Sequence, residues 1–154
     1  MTITESMRNV AEYLRDEISQ YSATQSDKQR KILVHAGFPP VRRSRDETAS
    51  CIYVIATGAE DAAAESSVTL AIGFSIYDED DKAGCFSLYN LVEHVRQALL
   101  KRRTIAGRNC LILPLKTEIM TEQPFPEWVA MITATYSIAQ IDEEEIDYDE
   151  AFEN

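Results

Sequence analysis

Hydrophobic positions along the chain follow two periods. From residue 3 to residue 21, apolar side chains at Ile3, Met7, Val10, Leu14, Ile18 and Tyr21 step by three or four, with Arg8, Glu12, Arg15, Asp16 and Glu17 between them. That is one face of a 3.6-residue period. Thr2 and Glu5 have the spacing of a capping box, so the pattern predicts a helix over residues 3–20. A second stripe, Leu88, Leu91, Val92, Val95 and Leu99, predicts a helix over 87–101. Ser87 is its expected N-cap, and Lys101, Arg102 and Arg103 suit its negative end.

Between the helices the period changes to two. Val68, Leu70, Ile72, Phe74 and Ile76 alternate with Thr69, Ala71, Gly73, Ser75 and Tyr77, which predicts a strand over 68–77. Residues 51–57 (CIYVIAT) form a β-branched and aromatic run, and the small, polar stretch 58–67 predicts a loose hairpin joining two antiparallel strands. Strands are also expected at 109–116, where Pro114 implies an edge or a break, and at 128–138. In the last of these, Trp128, Ala130, Ile132, Ala134, Tyr136 and Ile138 share a face.

The remaining segments are connectors. Residues 22–31 are polar, and 32–36 are a brief apolar run stopped by Gly37 and Pro39-Pro40, fit only for an edge strand or a lead-in. Residues 41–49 carry charge without periodicity and read as a loop, 78–84 (DEDDKAG) as an acidic turn, and 121–127 (TEQPFPE) as a stiff loop. This order defines an α+β fold: a small, mostly antiparallel β-sheet with two main helices packed on one face. A single domain is expected over 1–140, followed by an acidic C-terminal tail over 141–154.

Charge sharpens that boundary. The chain has 154 residues and a net charge of −11, from 15 Lys+Arg against 26 Asp+Glu. Residues 141–154 hold eight acids and no base, leaving 15 bases against 18 acids in the body. Such a tail is expected to be dispensable for folding. The balance lacks the basic footprint of a dedicated nucleic-acid binder. No apolar stretch approaches the roughly 18 residues that span a bilayer, so no membrane partner is expected. The start of the chain lacks the basic and apolar regions of a secretory signal. Cys51, Cys85 and Cys110 are odd in number and far apart, each in or beside an apolar run; reduced core or near-core thiols are expected.

A search for chemistry returns surfaces rather than a catalytic set. His35 and His94 have no Cys, Asp or Glu at metal spacing except Glu93, and adjacent helix residues point about 100° apart. Structural histidines are expected. None of the cysteine-pair, zinc-protease, nucleophile-elbow or phosphate-loop motifs occurs. The 78–84 turn fails as a calcium loop, because Lys82, Ala83 and Tyr89 stand where acid, glycine and glutamate are needed. No enzyme activity, metal or cofactor is therefore expected. Arg42, Arg43 and Arg45, on a loop beside two prolines, have no evident folding role and are candidate protein contacts. Lys101, Arg102, Arg103 and Arg108 form a second basic cluster that the helix dipole already accounts for. Phe125 and Trp128, among prolines, are either a contact patch or the anchor of a core strand.

The succession of features from residue 32 to 138 resembles the tail-terminator, or tail-completion (minor tail), proteins of long-tailed bacteriophages and prophages. It comprises the Phe38-Pro39-Pro40 break with its arginine loop, the strand and acidic turn SSVTLAIGFSIYDEDDKAG, and the helix SLYNLVEHVRQALL. NCLILPLKTE, the Pro124-Phe125-Pro126-Glu127-Trp128 loop and the final strand AMITATYSI complete it. The resemblance implies a structural virion protein that caps the tail tube as a ring, usually six-fold. Such a ring stops tube growth and offers the head a docking surface. Its implied partners are further copies of itself, the major tail tube protein and the head connector or stopper, while phage DNA passes through without specific recognition. The implied location is the head-proximal end of the virion tail, after assembly in the host cytoplasm. Two other readings stand beside it: another head–tail connector (stopper or neck) protein, or a small α+β ligand-binding or enzyme domain. The acidic extension and the 22–31 connector depart from the minimal family pattern.

Overall fold

A computed structural model describes residues 2–24, 32–39 and 50–144. The capping box forms as predicted: Glu5 N donates to Thr2 Oγ1 (3.1 Å) and Thr2 N to Glu5 Oε2 (3.2 Å). It opens α1, Ile3–Thr24, which extends past residue 20 into the polar connector. Val10, Leu14 and Ile18 are fully buried, Met7 and Tyr21 partly, and Ile3 is exposed.

Among the described residues the sheet has six strands: β1 (Leu33–Ala36), β2 (Cys51–Asp61), β3 (Ser66–Tyr77), β4 (Thr104–Ile105), β5 (Asn109–Ile119) and β6 (Glu127–Ile138). Their spatial order is β1-β2-β3-β6-β5-β4, and only the β1–β2 pair is parallel. The β2–β3 hairpin is longer and tighter than expected. Its turn occupies only 62–65, closed by Ala62 N donating to Glu65 O (2.8 Å). A bulge between Ala56 and Gly58 lets both strands run past the expected loop while keeping their faces in register. β5 continues through Pro114, which falls, as expected, at an edge and at an interruption of the ladder: no described strand lies outside it there, and the β5–β6 register shifts between Ile112 and Lys116. The two-residue β4 had no signal in the sequence. Ala106 and Gly107 both take positive φ (54° and 66°), the tight turn that folds it onto β5.

The second helix, α2, spans Asp81–Lys101 and starts six residues before the expected one. Asp80, not Ser87, is its N-cap: its Oδ1 accepts from Lys82 N (3.0 Å) and Ala83 N (3.1 Å). The acidic turn is thus partly helix, and Gly84 lies inside it rather than before it.

Both helices pack on the same face of the sheet, as the α+β reading requires. Ile52 and Val54 of β2, the five alternate apolar residues of β3, and Ala130, Ile132, Ala134 and Tyr136 of β6 face Val10, Leu14 and Ile18 of α1 and the α2 stripe. Of the thiols, Cys51 is buried, Cys85 half-buried and Cys110 exposed. Cys110 lies between Asn109 and Leu111, which point inward, so strand alternation turns it outward.

Candidate interaction surface

The Pro-Phe-Pro-Glu-Trp loop is built against the start of α2. Trp128 Nε1 donates to Asp78 O (3.1 Å), and Asp78 N donates to Pro126 O (3.0 Å). The indole lies over Gly84, where any Cβ would run into the ring. Gln123 closes the other side: its Oε1 accepts from Val129 N (2.7 Å), and its Nε2 donates to Val129 O (3.0 Å) and Met120 O (2.8 Å). Trp128 is therefore the anchor of β6 rather than a free contact group. Phe125 is 56 % exposed and meets Trp128 edge-on, ring centroids 6.1 Å apart. With the backbone on both sides of it pinned, Phe125 is an apolar group held outward on a preformed loop; Met120, just past the end of β5, is exposed as well.

The sheet face opposite the helices is the second surface. Leu33, Tyr53, Ile55, Ala71, Val129, Met131 and Thr133 occupy its middle rows and are half-buried or exposed. Gly73 and Ser75 on this face are buried by their neighbours. The Tyr53 ring lies across Gly73, and Ser75 donates to Glu127 Oε1 (2.7 Å). Burial pushes the Tyr53 phenol above its ordinary pKa, with Cys51 and Glu127 adding to the shift.

Arg42, Arg43 and Arg45 lie outside the described residues. Lys101, Arg102, Arg103 and Arg108 are exposed around the end of α2. The Arg102 guanidinium sits 5.5 Å over the Tyr13 ring, and Arg103 Nε donates to Leu100 O (3.2 Å), so the helix terminus uses part of this charge. His94 is structural, its Nε2 3.3 Å from Glu17 O and its ring centroid 4.7 Å from that of Tyr21, the rings tilted by 35°. Among the described residues no group of three or more His, Cys, Asp or Glu could hold a metal ion. Among them, too, no helix is long and apolar enough to cross a membrane.

Gly84, Gln123 and Tyr53 escape sequence reading. A glycine four residues before a helical stripe looks like a turn, and only the tertiary position of Trp128 shows what it makes room for. The chain is thus an α+β domain whose accessible features are a rigid aromatic loop, a broad sheet face and separated charge clusters. No family model matches it, and neither does any curated protein.

Proposed function

We propose that this protein is a tail terminator: a structural virion protein that closes into a ring on the tail tube, stops its growth and presents the tail to the head. One observation carries the reading. The two most specific parts of the family resemblance, the Tyr-Asp acidic turn before α2 and the Pro-x-Pro-x-Trp approach to the last strand, are joined through Asp78, Gly84, Pro126 and Trp128. Motifs about 50 residues apart in sequence form one structural unit, so a single surface requirement accounts for both. Phe125 projects from that unit and is its natural contact with the tube or a neighbouring copy.

Electron microscopy of the purified protein mixed with tail tubes of the cognate phage tests the reading. Rings seated on tube ends are the expected result. Rings that bind only the portal side would assign the protein to the stopper class instead. Protein that leaves tubes bare and binds a small molecule would overturn both.

A further inference from the structure

One end of the sheet is polarised across its width. It is the end where β2 turns into β3, where β6 stops and where β5 begins. On the β2–β3 side, Glu60, Asp61 and Glu65 are exposed. Gln140 Nε2 donates to Ala62 O (2.8 Å) and Ser66 Oγ (3.1 Å), so the chain leaves β6 on this same side. It brings Asp142, Glu143 and Glu144, all exposed. On the β4–β5 side, Lys101 ends α2, Arg102 and Arg103 follow it, and Arg108 occupies the turn before β5. No carboxylate of the described residues pairs with any of these four bases. Three strand spacings, roughly 14 Å, separate β2 from β5. That exceeds the Debye length of about 8 Å at physiological salt, so Glu60 and Asp61 on β2 do little to neutralise the bases beside β5 within one chain.

Among the described residues, none pairs with the outer edge of β2 at this end. β1 pairs with β2 only from Cys51 to Val54, Gly37 N donates to Val54 O (2.7 Å), and Ala56 N meets Met7 Sδ (3.2 Å). From Thr57 to Asp61 no described strand lies beside that edge. An unpaired edge is a template for association, and its acids decide which surface it accepts.

We propose that these two sides are the halves of a head-to-tail contact between copies of this chain. The acidic edge of the β2–β3 hairpin of one copy lies against the basic corner of Lys101, Arg102, Arg103 and Arg108 of the next. A two-fold contact through either side would set like charge against like, whereas unlike halves repeat from copy to copy and can close by rotation. The contact gives the ring proposed above its interface and rests on that reading only for its closure.

Two variants test it by sedimentation over a concentration series at low and at physiological salt. The acid-side variant E60K/E65K/E143K leaves Asp61, which accepts from Ser66 Oγ (2.6 Å), in place. The base-side variant K101E/R103E/R108E leaves Arg102 on Tyr13. The wild type is expected to self-associate, each variant alone to associate about tenfold more weakly or worse, and an equimolar mixture to recover the loss. Overall charge repulsion predicts the opposite for the acid-side variant, whose net charge moves from −11 towards zero. Any of three results overturns the proposal: a wild type that stays monomeric at low salt, an acid-side variant that associates as well as the wild type, or a mixture that stays monomeric. Duplex DNA bound at the corner by a protein that remains monomeric would likewise overturn it and assign the corner to nucleic acid. Tail tubes take no part, so self-association without tube capping would sink the terminator reading and leave the contact standing.

Discussion

Tyr136 and Tyr13 are both buried, and their hydroxyls are treated differently. Tyr13 Oη donates to Ala98 O (2.8 Å), whereas Tyr136 Oη, with the whole residue buried, has no hydrogen-bond partner among the described residues. A buried hydroxyl without a partner costs its desolvation, so Tyr136→Phe should raise stability by about 1 kcal/mol and Tyr13→Phe lower it by a similar amount. Urea denaturation of the two variants checks this, and equal losses would show that Tyr136 Oη is satisfied. Burial also raises the Tyr136 phenol far above its usual pKa, with smaller contributions from Tyr13 and Cys110, and raises those of Tyr13 and Tyr21. A raised folded-state pKa means that the fold prefers the neutral phenol. The associated stability is complete below the unfolded value of about 10 and is lost as pH climbs towards the folded value. Alkaline titration followed at 295 nm should therefore show some of the seven tyrosines ionising early and the buried ones only as the protein unfolds. All of them titrating reversibly near the ordinary value, with the fold intact, would contradict this.

At the scale of elements, Gly84 sets two effects of opposite sign against each other. Alanine in a helix interior is favoured over glycine by about 1 kcal/mol. The added Cβ would, however, collide with an indole pinned by its bond to Asp78 O, and overpacking costs about 1–3 kcal/mol. Packing wins, so Gly84→Ala should destabilise the fold, and a rise in melting temperature would mean that the loop can move. Phe125→Ser should cost about 1 kcal/mol or less, since only the edge-on contact with Trp128 is lost, while weakening capping of tubes. The inward residues of β3, β6 and both helices were legible in the sequence because a period of two or 3.6 states directly which side chains share a face. Boundaries were less so. The α2 start at Asp81 was hidden because Asp80 caps a turn too polar to show a stripe, and β2 runs through 58–61 on backbone pairing with β3 rather than on its own side chains. The candidate site was half legible: Phe125 and Trp128 were visible as a cluster, but their division into outward group and anchor depends on Gly84 and Gln123.

For the whole molecule, the tail and the ring make separable claims. Gln140 fastens the end of β6 to the hairpin turn, and the described residues beyond it, 141–144, are exposed, with Ile141 at 93 %. A chain ending at Gln140 should then fold with a melting temperature close to that of the full chain. A truncation that fails to fold would place part of the core in 141–154. The proposed ring rests on an order of features, because no single residue pattern encodes closure by rotation. Its most direct test is the length distribution of tail tubes assembled from the cognate tube protein with and without this chain. Shorter, ring-capped tubes of arrested growth are predicted as its concentration rises. Tubes that keep elongating, with no ring at their ends, would contradict the proposed function.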